Sequence, residues 1–206
     1  SGLYNLSTSF NKVFREEGEN CLESILELQC TANAQYPQSN EVGSQFAQVQ
    51  GVRGSGQWDL GWGWNCPTQL LADAFEAGDP RKDETLLYFA KSEAEAATMQ
   101  PNTPYNEKPI AASNVVNKYY NKKAYTNPAL RNTYSKAGHW FNIRLIRYSD
   151  VLLMAAEAAN ELGNSAQALV YLEQVRARAR AGNNAILPAV TTTVQSELRD
   201  AIRHER

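Results

Sequence analysis

The stretch from 144 to 180, RLIRYSDVLLMAAEAANELGNSAQALVYLEQVRARAR, most constrains what this chain can fold into. Leu152, Ala155, Ala156 and Ala159 fall at i, i+3, i+4 and i+7, one face of a helix of 3.6-residue period. Val151, Met154, Ala158 and Leu162 form a second apolar row, which predicts burial on most sides. Gly163 can end this helix in the left-handed conformation, and Ser165 can cap the next. The next helix shows Ala168, Leu172, Val175 and Ala179 on one face. Gln167, Tyr171, Gln174 and Arg178 make a wetter one. The small residues let two helix backbones approach closely. Leu152, Ala156, Ala159, Gly163, Ala168, Leu172 and Val175 follow the tetratricopeptide spacing, without its consensus Trp and Phe. An ordinary antiparallel helical hairpin fits the same spacing. One hairpin cannot bury both its faces, so other helices must pack on it.

The rest of the chain is less periodic. Residues 3–15 carry Leu6, Phe10, Val13 and Phe14 and predict an amphipathic helix ending near Gly18. Residues 23–31 alternate and predict a short strand. From 32 to 57 the composition turns to Asn, Gln, Ser and Gly, a long polar loop of the kind that often carries function. Pro67 suits the first turn of a helix with Leu70, Leu71, Ala74 and Phe75 on one face. Gly78 stops it, and Asp79-Pro80 prevents continuation. Residues 84–90 predict a second strand. Residues 94–131 read as an irregular surface segment studded with Tyr105, Tyr119, Tyr120 and Tyr125. An extended run over 137–146 leads into the helical pair. Thr193 or Ser196 can cap a last helix with Leu198 and Ile202 on its apolar face. The fold class is mainly α: tetratricopeptide-like hairpins with long irregular loops and a few short strands. The chain reads as one domain over 1–206, loop-rich over 1–141 and helical over 142–206.

A net charge of −2 argues against a nucleic-acid or anionic-membrane partner. Cys21, Cys30 and Cys66 form no CxxC pair, and only His139 and His204 could assist, which argues against a zinc site. No metal or cofactor is expected. There is no GxSxG elbow, GxGxxG or Walker loop, and no carboxylate pair in a recognisable catalytic setting. The chain therefore reads as non-catalytic.

Three blocks together resemble the SusD/RagB family of outer-membrane glycan-binding lipoproteins: GWGWNCPTQLLADAFEAGDPR at 61–81, NIRLIRYSDVLLMAAEAANELGN at 142–164 and ELRDAIRHER at 197–206. The resemblance implies an α/α superhelix, oligosaccharide or polysaccharide as ligand, and a SusC-like TonB-dependent outer-membrane transporter as partner. It also implies a lipid anchor on an N-terminal region preceding Ser1. On that reading Ser1-Gly2 and His204-Glu205-Arg206 are cut edges, and part of the ligand site lies outside the chain. A tetratricopeptide module that binds a protein partner is the alternative.

Trp58, Trp62 and Trp64 lie within seven residues. An exposed Trp face can stack on a sugar ring while neighbouring polar groups grip hydroxyls. Trp58, on the loop outside the family block, is the expected platform, with Gln57 and Asp59 beside it and Tyr36 as a further ring. Trp62 and Trp64 are weaker candidates, because they can instead cover the helix that starts at Pro67. Arg176, Arg178 and Arg180 are read as complementing a helix dipole. Arg147 and Tyr148 are read as locking the hairpin to its neighbours.

Overall fold

A computed structural model describes residues 2–31, 43–109 and 115–206. The helices in chain order are α1 (Phe10–Val13), α2 (Phe46–Gln50), α3 (Gln69–Ala74), α4 (Pro80–Thr85), α5 (Glu93–Thr98), α6 (Pro128–Thr133), α7 (Tyr148–Glu161), α8 (Ser165–Arg180) and α9 (Gln195–Glu205). The strands are β1 (Ser24–Leu28), β2 (Leu86–Tyr88), β3 (Tyr119–Asn121) and β4 (Ile143–Arg147). They make two separate antiparallel pairs, β1 with β4 and β2 with β3. The molecule is mostly helical with a few short strands, as the sequence predicts.

Most of the short helices begin at a side-chain cap. Thr68 accepts from the Leu71 amide, Ser92 from Glu95 and Asn127 from Ala129. The cap at Thr68 moves the start of α3 two residues beyond Pro67. Asp79-Pro80 does more than stop a helix. Asp79 accepts from the Arg81 amide, and Pro80 opens α4. The helix expected over 3–15 shrinks to the single turn of α1. The irregular segment expected over 94–131 contains α5, β3 and α6.

The long helical pair forms as read, with Gly163 at φ +79° in the turn. Its cap is Asn164, whose side chain accepts from the Gln167 amide, so Ser165 is already helical. Leu152, Leu153 and Ala156 of α7 pack with Ala168, Leu172 and Val175 of α8 and with Leu198 and Ile202 of α9. Ala156 and Ala168 are fully buried, which is where the backbones draw together. Neither Thr193 nor Ser196 caps α9; Val194 stands there without a side-chain bond. A second cluster gathers Val52, Trp58, Leu60, Leu87, Phe89, Val115, Tyr120 and Tyr125.

Buried ion pairs tie the two regions together. Glu205 at the end of α9 takes Arg81 of α4 and Arg176 of α8. Arg176 also bonds Glu76, and Arg81 also bonds Asp79. Burial works against the Arg81 and Arg176 charges, but hydrogen bonds to these carboxylates outweigh it and raise both pKa values. Glu23, fully buried, takes Arg147 and Arg178 at 2.6 Å each. The arginines on α8 are therefore tertiary ties rather than helix-dipole partners alone. Tyr148 stacks on Tyr4 and Arg147 reaches Glu23, so both lock the hairpin to the N-terminal segment as expected.

Candidate functional site

The expected platform residue is in the core. Trp58 ends a 3-10 turn over Gly56–Trp58 and is only 4% exposed. Its ring meets Phe89 edge-on, with centroids 5.1 Å apart, and Phe89 meets Tyr120 in the same way. The loop around it lacks apolar periodicity, yet Trp58 joins Val52, Leu60, Phe89 and Val115 in one core cluster. Trp58 cannot stack on a ligand in this arrangement. Asp59 beside it forms an ion pair with Lys136, and Gln57 is exposed. Tyr36 lies outside the described residues.

Trp62 and Trp64 lie outside the core. They are 39% and 62% exposed, and their rings lie 5.3 Å apart at 57°. Local geometry explains this. The run Gly61-Trp62-Gly63-Trp64 lies along the C-terminal end of α2. The Trp62 amide donates to the Gln48 carbonyl at 2.9 Å, Gly63 to Gly51 at 2.9 Å and Trp64 to Val49 at 2.8 Å. The last carbonyls of a helix lack intrahelical donors, and this run supplies them. Each glycine faces inward. A Cβ on Gly61 would stand 2.0 Å from the Gln48 carbonyl oxygen, and one on Gly63 2.9 Å from the Arg53 Cβ. The two indoles alternate with them and are carried outward together.

Polar groups brace the run. The Asn65 amide donates to the Gln50 side-chain oxygen at 2.8 Å, and Asn121 donates to the same oxygen at 2.6 Å. Asn65 holds φ at +54°, a conformation Asn tolerates better than most residues. The Cys66 thiol donates to the Gly63 carbonyl at 3.0 Å. Leu70 and Leu71, on the helix that follows, are also exposed. The result is a rigid ledge carrying two adjacent indoles, an arrangement that can hold a flat apolar face such as the C–H side of a sugar ring. The structure thus unites Trp62 with Trp64 and separates both from Trp58. Sequence reasoning did not find Gln50, Asn65 and Asn121 as the braces beneath them.

The sequence profile of the SusD family matches residues 22–206. The SusD-like protein P2 of Formosa agariphila is 32% identical over 167 residues, covering 78% of this chain and 32% of the relative. The surface glycan-binding protein A of Bacteroides uniformis superposes over 100% of this chain and 39% of its own, with a TM-score of 0.69 and 21% identity. The surface glycan-binding protein A of Bacteroides thetaiotaomicron in complex with laminarihexaose gives a TM-score of 0.65 at 20% identity, over 100% of this chain and 45% of its own. The chain therefore spans about a third of the curated relative's length and less than half of the solved structures'.

Proposed function

Since the chain belongs to the SusD family, we propose that it is part of a cell-surface protein that binds oligosaccharide or polysaccharide without cleaving it. Trp62 and Trp64 are the contact platform, and Gln57 and Asp59, which flank the buried Trp58, are the polar residues to test beside it. The observation that carries this is their joint exposure on a braced ledge. Two adjacent large aromatic side chains held outward support a contact surface there. A second support is the laminarihexaose bound by a solved structure of the same fold. The reading extends to a SusC-like TonB-dependent transporter as partner, and to an outer-membrane location through a lipid anchor; family membership supports both. A peptide-binding tetratricopeptide groove has less behind it, because Leu152, Leu153 and Ala156 of α7 are spent on α8 and α9.

The test is calorimetry of the protein against a panel of purified oligosaccharides that includes laminarihexaose. Binding to at least one member is expected, with clear weakening in the W62A/W64A double variant. No binding across the panel, or full binding by the double variant, refutes the platform.

A further inference from the structure

Tyr88 and Tyr119 face each other as cross-strand partners at the end of the β2–β3 pair. Strand alternation sends Leu87 and Tyr120 into the core, where both are fully buried. It sends Tyr88 and Tyr119 the other way, onto an open cavity of about 420 Å³. Their ring centroids lie 5.8 Å apart at 50°. The Lys118 ammonium sits 5.5 Å from each centroid. Small-molecule sites have volumes of roughly 300–1,000 Å³, and this one falls within that range.

The cavity also holds an acceptor with nothing to accept. Asn102 lines it, and its amide nitrogen donates to the Tyr88 carbonyl at 3.0 Å, which fixes which way the amide points. Its Oδ1 is a buried oxygen with no hydrogen-bond donor among the described residues. Leaving such an atom unpaired is costly, so it is a place where a ligand hydroxyl gains most. Glu95, also on the lining, adds acceptor capacity. Lys82 and Lys118 balance Asp83 and Glu95, so the site has no net charge, which suits a neutral sugar. The Tyr119 hydroxyl donates to Gln69 at 3.5 Å, on the helix that begins five residues after Trp64.

We infer that the Tyr88–Tyr119 cavity is a second sugar subsite, which takes one neutral pyranose ring of the same glycan through ring stacking and a hydroxyl given to Asn102. The inference rests on the glycan-binding reading and extends it from one platform to two.

The experiment is an NMR titration of the isotope-labelled protein with the methyl glycosides of glucose, galactose, mannose and xylose, each to high millimolar concentration. Shifts at the Asn102 side-chain amide and at 86–88 and 119–121 report this subsite. Shifts at the Trp62 and Trp64 indole N–H groups report the platform. Saturable Asn102 shifts with at least one glycoside are expected, lost in Tyr119→Ala and kept in Tyr119→Phe; in Asn102→Ala the shifts at 86–88 and 119–121 should saturate only at several-fold higher glycoside. The spectrum of each variant shows whether it is folded, and Asn102→Ala and Tyr119→Phe decide the matter if Tyr119→Ala is not. Indole shifts without Asn102 shifts refute the second subsite and leave the platform standing. Asn102 shifts without indole shifts do the reverse. Silence at both with all four glycosides overturns both, and Asn102 shifts that survive in Tyr119→Ala overturn the stacking.

Discussion

The Glu205 carboxylate accepts a hydrogen bond from the Arg176 guanidinium at 2.8 Å, and the two side chains are only 1% and 4% exposed. Arg81 reaches the same carboxylate from α4. The Asp-Pro-Arg turn, the second helix of the hairpin and the His-Glu-Arg end of α9 thus meet at one anion. Removing that anion leaves two guanidinium groups short of charge where water is scarce. Glu205→Gln should destabilise the protein by about 3–5 kcal/mol, the usual range for breaking a buried pair from one side. Urea unfolding at neutral pH measures it. A midpoint equal to wild type would mean that Asp79 and Glu76 suffice for the two arginines.

The tryptophans should separate into two classes. Trp58→Ala empties a packed site and should cost about 3–5 kcal/mol of stability. Trp62→Ala and Trp64→Ala should leave the melting curve nearly unchanged. Each should weaken glycan binding several-fold, since an aromatic contact contributes about 0.5–1.5 kcal/mol beyond area burial. Paired thermal melts and calorimetry read both effects. Strong destabilisation by Trp64→Ala would place that ring in the core after all.

The contrast shows how far local pattern carries. The α7–α8 pair was legible because its contacts recur within a few residues and its turn needs a glycine. The buried state of Trp58 was not, because Val115 and Phe89, which share its core cluster, lie more than thirty residues away in segments without periodicity. The exposure of Trp62 and Trp64 was legible in principle. Glycine at every second position of 61–64 means one side of the chain touches backbone and the other carries the rings. The arginines of α8 were read locally, as dipole partners, because Glu23, Glu76 and Glu205 are brought to them only by folding. The Tyr88–Tyr119 pairing escaped for the same reason, as β2 and β3 are joined by a segment with no strand signal of its own.

Two glycines should respond differently to a methyl group. Gly163→Ala meets no atom of the described residues within 4 Å, so it pays only for a left-handed backbone, roughly 1–2 kcal/mol. It should not change glycan binding. Gly61→Ala drives a Cβ to 2.0 Å from the Gln48 carbonyl oxygen, and the ledge must lift to relieve it. Stability should fall by about 1–3 kcal/mol, and glycan affinity should fall with it. Intrinsic fluorescence of the two indoles provides a third reading, with a shift expected only in Gly61→Ala. Normal binding by that variant would detach the ledge from the site.

Lys123 should make stability rise with pH on the alkaline side. Its ammonium lies 4.7 Å from the Phe14 ring centroid and 5.5 Å from that of Phe10. Burial pushes its pKa down to about 8 from an ordinary 10.5; Arg147 and Arg81 add to this, and Glu23 opposes it. The folded state therefore releases this proton before the unfolded chain does. Below pH 8 both states hold the proton, and the full penalty for burying the charge is present. Between about 8 and 10.5 the unfolded chain binds more protons, so stability climbs as pH rises. Above 10.5 the penalty is gone. The depressed pKa corresponds to roughly 3–3.5 kcal/mol across that window. Other groups titrate there too, notably Lys122, whose pKa burial also lowers. Lys123→Met keeps the stem over the rings and leaves those other groups in place. Urea midpoints of the two proteins from pH 7 to 10 give the difference directly. The wild type should gain on the variant through the window, most steeply between 8.5 and 10. Parallel curves would show that the ammonium keeps an ordinary pKa in the folded protein.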